Sequence, residues 1–244
     1  MPPTRVAIAG LGAIGRALAR RLADGLPGLV LACAATRDQE KAEAWLGAQR
    51  IACPLVEPED FPARADIAVE CAPPAALERI CRPMLEAGKQ VMVLSAGALL
   101  GLDAVTAAAE GEIHSVRMIT RKPPRGLRGA PYLVANGIGV DGLNEAKRVF
   151  CGSARDAAAG FPENVNVAAA LSLAGIGPDR TTIEIWADPV IERNCHTIEV
   201  DSDSARFSLS IENVPSENPK TGRITALSAV AALRKLHSPL RVGT

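Results

Sequence analysis

The chain has 244 residues, of which 48% are hydrophobic and 22% are charged, a composition typical of a soluble globular protein with one large or two modest domains. Its 27 Lys and Arg residues equal its 27 Asp and Glu residues, so no overall basic field favours nucleic acid or an anionic membrane as a partner. Aromatic residues make up only 3%, which argues against a surface that stacks on single-stranded nucleic acid or sugars.

The cysteines indicate the compartment. Six are present, and none forms a Cys-x-x-Cys pair or a zinc-finger spacing with histidine, so no metal site is predicted. Four lie in apolar runs, and we expect reduced, mostly buried thiols. The first residues lack a secretory signal pattern, and no apolar run is long enough to span a membrane. The sequence therefore predicts a cytoplasmic protein.

Strands and helices alternate in the first part of the chain. Short apolar runs predict strands at residues 5–10, 29–35, 65–72 and 89–95. Helical patterns lie between them at residues 15–25, 38–48 and 74–88, with a kink or break expected at Pro83. This order predicts a parallel sheet that is covered on both faces.

The pattern changes after residue 112. Strands are predicted at residues 114–120, 181–187, 196–200 and 205–214, and helices at 163–175 and 224–238. We therefore expect an α/β chain: a Rossmann-type dinucleotide-binding domain over residues 1–112, and a smaller α+β domain with a mostly antiparallel sheet over 113–221. A C-terminal helix over 222–244 can dock on the first domain.

A glycine-rich loop joins the first strand to the first helix. Gly10, Gly12 and Gly15 stand in the G-x-G-x-x-G spacing, with Ala13 and Ile14 between them. In this position the first glycine permits a tight turn, the second lets the backbone approach a pyrophosphate, and the third lets helix and strand pack closely. The helix N-terminus would then bind the phosphates. Glycines that serve only the packing of a strand–turn–helix are the alternative.

The end of the second predicted strand bears on cofactor choice. Thr36, Arg37 and Asp38 follow it, where a strict NAD site would carry an acidic residue. Arg37 can accept the 2′-phosphate of NADP, and Asp38 can serve the unphosphorylated ribose of NAD. We therefore expect binding of both NAD and NADP. A solvated helix start with Asp38 as the N-cap is the alternative.

Several longer segments carry a resemblance that covers nearly the whole chain: GALLGLDAV, TRKPP, FPENVNVAAALSLAGIGPDRT, RNCHTIEV and IENVPSENPKTGRITALS. In these segments the chain resembles the L-aspartate dehydrogenase family. The fold of that family is similar to those of dihydrodipicolinate reductase and homoserine dehydrogenase. The resemblance implies NAD(P)-dependent oxidation of L-aspartate to iminoaspartate, release of oxaloacetate and ammonia, a link to NAD biosynthesis, and a homodimer. It also implies that His196 is the catalytic histidine, and that Asn166 and Ala98 contact the nicotinamide cofactor.

One segment departs from that family. The run VMVLSAGALLGLDAV passes directly from a strand into the segment GALLGLD, where the family has a helix and a strand between two similar segments. One α–β unit is therefore expected to be absent near residues 95–98, and Ala98 can belong to either copy. Residues 91–95 would then form an exposed apolar edge, which favours aggregation. A non-catalytic dinucleotide-binding relative, or a dehydrogenase or reductase for another small amino acid, is the alternative function.

The segment RNCHTIEV places a histidine on an apolar strand face. His196 alternates in phase with Ile198 and Val200, so it is expected to point to the packed side of the second sheet. An imidazole that titrates near neutrality can serve as an acid–base group, with Asn194 as a residue that orients the ring. A buried structural histidine is the alternative.

The two carboxylates of aspartate need cationic partners. Arg121 and Lys122 in TRKPP and Arg193 beside the histidine are the candidates, because guanidinium and ammonium groups bind carboxylates. Each of them is equally well explained as a solvated surface cation. Asn166 is likewise open to a second explanation as a polar group at a helix start.

Overall fold

A computed structural model describes residues 2–93, 101–162, 166–214 and 222–240 of the chain. Two compact units result: the first holds Met1–Leu94 and Thr225–Arg241, and the second holds Ser95–Ile224 and Val242–Thr244. The elements in chain order are β1 (Thr4–Ala9), α1 (Ala13–Ala23), β2 (Leu29–Ala35), α2 (Gln39–Gln49), α3 (Phe61–Arg64), β3 (Ile67–Glu70), α4 (Leu77–Glu86), β4 (Gln90–Val93), α5 (Leu102–Ala109), β5 (Ile113–Lys122), α6 (Pro131–Ala135), β6 (Lys147–Ser153), α7 (Ala154–Gly160), α8 (Asn166–Ala174), β7 (Thr181–Ala187), β8 (Cys195–Ser202), β9 (Arg206–Glu212) and α9 (Arg223–His237).

The first unit is built on a parallel four-stranded sheet in the order β2-β1-β3-β4. All four residues of β3 are buried, as is typical of a strand covered on both faces. Helix α1 turns Leu18, Ala19 and Leu22 inward, and α9 contributes Leu233 to the same apolar cluster. The Rossmann-type α/β fold expected from the alternating pattern is confirmed.

Strand β4 forms the outer edge of that sheet in the part of the chain that the structure describes. Its four residues are less buried than those of β3: Val91 and Met92 are half-buried, and the side chain of Val93 is 41% exposed. Parallel strands inside a sheet are ordinarily buried on both faces. An apolar edge is therefore present at Gln90–Val93, while residues 94–100 lie outside the described part.

The second unit is built on a mixed five-stranded sheet in the order β6-β7-β5-β8-β9. Only β5 and β7 run parallel, so the sheet is mostly antiparallel. The sequence pattern missed β6. A register shift between Arg148 and Phe150 turns the consecutive residues Val149 and Phe150 inward, and this breaks the alternation by which strands are recognised.

Helices α5 and α8 pack on this second sheet. Val105 of α5 and Leu171 of α8 lie in its apolar cluster, which is why α5 belongs to the second unit although the sequence analysis placed the boundary at residue 112. Tyr132, Phe150 and Phe161 form an aromatic group with ring centroids 5.1 to 5.5 Å apart. This group fills the side of the core next to α6 and α7.

Two smaller expectations turn out differently. Helix α4 runs through Pro83 without a break. All six cysteines are free thiols, but only Cys33 is buried and Cys151 is exposed, so the thiols are less buried than expected. Of the helices in the described ranges, none is long and apolar enough to cross a membrane.

Helix α8 offers a matched test of the second core. Leu171 is fully buried, whereas Leu173, two residues further along, is 82% exposed. Leu171→Ala should lower the free energy of unfolding by about 2–5 kcal/mol, because it leaves a cavity. Leu173→Ala should change it by less than about 0.5 kcal/mol. Urea denaturation of both variants measures the difference; equal losses would show that α8 does not pack as described.

Candidate active site

The glycine loop has the geometry that its spacing predicts. Gly10 has φ of +101°, and a Cβ on it would lie 2.6 Å from the carbonyl oxygen of Cys71. A Cβ on Gly15 would lie 1.9 Å from the carbonyl oxygen of Gly10, whereas a Cβ on Gly12 would meet nothing within 4 Å. Two of the glycines are therefore required by the protein's own packing, and the third faces open space. This open space is where a pyrophosphate would lie.

The first turn of α1 completes the loop. Gly12 is the N-cap of α1 and no side chain caps the helix, so Ala13, Ile14 and Gly15 begin it without a competing acceptor. Free N–H groups and the positive end of the helix dipole suit an anion at this position. The residues present therefore fit the pyrophosphate of a dinucleotide.

The loop also lies at the point where the strand order of the first sheet reverses. Strand β1 pairs with β2 on one side and with β3 on the other, and ligands of open α/β sheets bind at this point, outside the carboxyl ends of the strands. Glu70 ends β3, is only 3% exposed, and accepts a hydrogen bond from the N–H of Ala72 at 2.8 Å. Sequence reasoning missed this buried carboxylate, which shapes the turn next to the glycine loop.

Arg37 and Asp38, which follow β2, have different surroundings. Asp38 is the N-cap of α2, and its carboxylate accepts a hydrogen bond from the N–H of Lys41 at 3.0 Å. Arg37 is exposed and makes no hydrogen bond or ion pair with any residue in the described ranges. The capping role weighed for Asp38 is therefore the one that the structure shows, and Arg37 is the cation that remains at this strand end.

In the second unit, β8 holds His196 on the apolar face of the sheet. Ile198 and Val200 follow it on the same face and are buried, and the ring of His196 is itself only 4% exposed. The orientation expected from the alternation is therefore correct. An imidazole in such surroundings needs a hydrogen-bond partner, because burial of an unpaired polar group is costly.

Thr120 is that partner. It lies directly opposite His196 across the β5–β8 pairing, is 2% exposed, and its Oγ1 is 3.2 Å from Nδ1 of the imidazole. The sequence analysis assigned ring orientation to Asn194 and did not consider Thr120. The signal was available, since Thr120 alternates in phase with the buried Val116 and Met118 of the same strand.

Burial and a neighbouring cation keep the imidazole neutral. Desolvation, followed by the positive charge of Lys122, lowers the pKa of His196 from 6.5 to about 3. The ring is therefore uncharged at physiological pH in the absence of a bound anion. The expectation of an imidazole that titrates near neutrality is wrong for this state of the protein.

The two cations of TRKPP lie on opposite faces of β5. Lys122 is in phase with Thr120, is 7% exposed, and acts electrostatically on His196. Arg121 points to the other face, where its guanidinium pairs with the buried Asp188 at 3.0 Å and lies over the ring of Trp186 at 5.4 Å. Lys122 is therefore placed with the histidine, and Arg121 is engaged elsewhere.

Of the remaining predicted site residues, the structure describes the surroundings of Arg193 and Asn194 only. Arg193 is exposed in the segment before β8, and the carbonyl of Asn194 accepts a hydrogen bond from the N–H of Asn213 at 2.9 Å. Asn166 is the first residue of α8, and its side chain lies outside the described part of the structure. Ala98 also lies outside the described residues.

A Rossmann sheet with this loop, followed by an α+β unit with a buried histidine, defines the class of dehydrogenases that use a nicotinamide dinucleotide. Family models support this for both parts of the chain: "Homoserine dehydrogenase, NAD binding domain" matches residues 10–117, and "Aspartate dehydrogenase, C-terminal" matches residues 103–236. The chain belongs to the aspartate dehydrogenase family.

Two curated relatives are similar over almost their entire length. L-aspartate dehydrogenase 3 of Bordetella bronchiseptica is 52% identical, with 98% of this chain and 97% of the relative covered. L-aspartate dehydrogenase of Bradyrhizobium diazoefficiens is 51% identical, with 98% and 94% covered. Both alignments extend over 264 positions, more than the 244 residues of the chain, so each relative has positions without a counterpart here.

Solved structures share the fold. Aspartate dehydrogenase of Thermotoga maritima is 24% identical and superposes with a TM-score of 0.72, with 98% of this chain and 99% of that chain covered. A scyllo-inositol dehydrogenase of Lactobacillus casei with bound NAD(H) is 13% identical, with a TM-score of 0.51 and with 96% and 88% covered. The likeness extends over both units of the chain.

The open space at Gly12 gives a direct test of the loop. Gly12→Val should weaken binding of NAD at least about tenfold, because its side chain would occupy the position of the pyrophosphate, while its Cβ would meet no protein atom within 4 Å. Gly47→Val is the matched control, since Gly47 lies in α2 and its Cβ would also meet nothing within 4 Å. Calorimetric titration of both variants measures the affinity. Normal binding by Gly12→Val would show that the loop does not hold the cofactor.

Proposed function

We propose that this protein oxidises L-aspartate with a nicotinamide dinucleotide, giving iminoaspartate, which water converts to oxaloacetate and ammonia. The observation that carries the proposal is the placement of Lys122 and His196 on one buried sheet face in a chain of the aspartate dehydrogenase family. The cofactor supplies the acceptor for the hydride that leaves Cα of the amino acid. The residues of the chain bind both molecules and control protons and charge.

The first unit binds the dinucleotide through its glycine loop. Gly12 leaves the approach open, and the N–H groups at the start of α1 are the donors for the phosphate oxygens. Asn166 and Ala98 are proposed as further cofactor contacts on the strength of the family resemblance alone. Glu70 supports the neighbouring turn through its bond to Ala72.

Lys122 is proposed as the cation that binds a substrate carboxylate. Lys122 is only 7% exposed, lies on the same face of β5 as Thr120, and acts electrostatically on the ring of His196, so a carboxylate bound at that ring would meet its ammonium. Arg121 is a weaker candidate, because its guanidinium points to the opposite face of the sheet, where it pairs with Asp188. Arg193 and Asn194, which precede His196, stay as proposed substrate contacts.

Both NAD and NADP are proposed as cofactors, and Arg37 carries that proposal. Its guanidinium is exposed at the end of β2, where the 2′-substituent of the adenosine ribose binds in Rossmann folds. Asp38 is engaged as a helix cap and offers only part of its carboxylate to a ribose hydroxyl. A cation without an acidic competitor accommodates a 2′-phosphate.

Cofactor choice is tested at Arg37. Arg37→Ala should weaken binding of NADP about tenfold or more and leave NAD within about twofold, because only NADP carries the phosphate that a guanidinium binds. Arg21→Ala is the control, because Arg21 is an exposed arginine in the last turn of α1, at the end away from the glycine loop. Parallel calorimetric titrations with the two cofactors provide the comparison. Equal losses for NAD and NADP would remove Arg37 from the 2′-phosphate site.

A non-catalytic dinucleotide-binding relative is the second candidate function. The relatives contain at least about twenty positions that this chain lacks, since the alignments are 264 positions long. We propose that these positions form the absent α–β unit near residues 95–98, next to the exposed edge of β4. If the chain binds NAD but does not oxidise aspartate, while insertion of the Bordetella segment restores turnover, the second function is the correct one.

We also propose a cytoplasmic location, a homodimer and a role in supplying iminoaspartate to NAD biosynthesis. The free state of all six cysteines supports a reducing compartment. The homodimer and the biosynthetic role are supported by the family resemblance only.

Turnover tests the main proposal. Mixing the protein with L-aspartate and NAD should raise the absorbance of the reduced nicotinamide. Lys122→Met should raise KM for aspartate by roughly ten- to hundredfold, because it removes a charge-assisted hydrogen bond to a carboxylate. Lys147→Met, an exposed lysine in β6 of the same unit, is the control and should change KM little. A larger effect from Arg121→Met than from Lys122→Met would place the substrate on the other sheet face.

A further inference from the structure

Hydrogen-bond accounting at Thr120 and His196 restricts the protonation state of the imidazole. In the described structure the hydroxyl of Thr120 has one hydrogen-bond partner, Nδ1 of His196, at 3.2 Å. His196 in turn makes no other side-chain hydrogen bond there. Both residues are almost completely buried, at 2% and 4% exposure, so the Thr120 hydroxyl and Nδ1 of His196 depend on this one contact, in which Nε2 takes no part.

Two arrangements of the proton are conceivable. If Nδ1–H donates to Thr120, the hydroxyl hydrogen of the threonine is buried without an acceptor. If the hydroxyl donates to Nδ1, the hydroxyl hydrogen and the Nδ1 lone pair are both satisfied, and the single imidazole proton is on Nε2. The first arrangement leaves both the hydroxyl hydrogen and the Nε2 lone pair without a partner among the described residues, and the second leaves only Nε2–H, so the equilibrium is biased toward the second by roughly tenfold or more.

We propose that Thr120 donates to Nδ1 and holds His196 as the neutral Nε2–H tautomer, so that His196 binds a carboxylate oxygen of the dicarboxylate substrate as a hydrogen-bond donor beside Lys122 and is not the general base. This role rests on the proposed function, since it presumes that the substrate is an amino dicarboxylate. Thr120 is then a positioning residue, and His196 is the residue that touches the substrate.

The electrostatics of the face agree with a donor. Lys122 is the charged group that acts on the ring, while the partners of His196 across the sheet, Thr120 of β5 and Ile211 of β9, are uncharged. A cation and a desolvated environment both oppose a second proton on the imidazole. A cation together with a neutral N–H donor is a suitable pair for one carboxylate, because both contacts are made by donors.

A donor role for Nε2–H of His196 also explains why residue 120 is a threonine. A valine of the same shape would fill the space between β5 and β8 but would leave Nδ1 without a partner. A hydroxyl fixes the ring plane and the tautomer at the same time. A general base would need the opposite assignment, with the lone pair on Nε2.

The tautomer is measured on the free protein by nitrogen-15 NMR of the imidazole rings. The chain has only three histidines, and the signal that His196→Gln removes identifies the ring. Nε2 should be protonated and Nδ1 unprotonated in the parent protein and in Thr120→Ser, which keeps the hydroxyl. In Thr120→Val the two nitrogen shifts should move toward each other as the tautomers mix. Protonation of Nδ1 in the parent protein overturns the proposal.

The donor role is measured with succinate, a dicarboxylate without an amino group, in the presence of saturating NAD. His196→Gln keeps an N–H donor near the position of Nε2 and should bind succinate within about threefold of the parent protein. His196→Leu removes the donor and should bind at least about tenfold more weakly, and the parent affinity should not change between pH 6 and pH 9. Equal losses in both variants, or an affinity that rises steeply below pH 7, would contradict a neutral donor.

Neither measurement requires turnover, so the two proposals fail separately. If NMR shows the Nε2–H tautomer and His196→Gln binds succinate more tightly than His196→Leu, a lack of aspartate oxidation refutes only the proposed function. Conversely, a protein that oxidises aspartate with Nδ1 protonated refutes only the donor role of His196. Activity adds a third readout, because a donor predicts that Thr120→Val lowers kcat/KM for aspartate about tenfold and that Thr120→Ser restores it.

Discussion

The antiparallel pairing of β5 with β8 places Thr120 directly opposite His196 and, two residues along β5, Lys122 on the same face. Because side chains alternate along a strand, a shift of this register by one residue would move all of the partners to the other face. Three polar groups on an apolar face are costly to desolvate. The hydrogen bond between Thr120 and His196 satisfies two of them, and the rest of the second sheet holds them in that register.

The opposite face of the same sheet carries charged residues that pair with one another. Glu184 is buried there and pairs with Arg117, whose guanidinium nitrogen lies 2.6 Å from its carboxylate oxygen, while Arg121 pairs with Asp188. These ion pairs satisfy one another within the protein. The buried polar groups of the apolar face include Thr120, Lys122 and His196, and a hydrogen bond joins Thr120 to the neutral imidazole.

In the first unit the constraint is steric. Gly10 and Gly15 are excluded from carrying a side chain by backbone atoms of the protein itself, and Gly12 is not. The same three-glycine motif therefore contains two positions that serve folding and one that leaves room for a ligand. The helix start behind it supplies the N–H donors, so that the fold and the binding loop are built from the same few residues.

Alternating apolar runs, the glycine spacing and the strand parity of RNCHTIEV determined from sequence alone the α/β class, the dinucleotide loop and the inward direction of His196. Those properties depend on neighbours in the chain, where the periodicity of helix and strand is a local signal. Tertiary structure decided the rest. It showed strand β6 with its register shift, and it placed Lys122, and not Arg121, on the face of His196. It also showed that Thr120, and not Asn194, bonds to the imidazole, and that the pKa of His196 is low. Alternation in β5 already puts Thr120 and Lys122 in phase with Val116 and Met118, but only the pairing of β5 with β8 sets them beside His196. That pairing, and the exclusion of water from the imidazole, depend on residues that are distant in sequence.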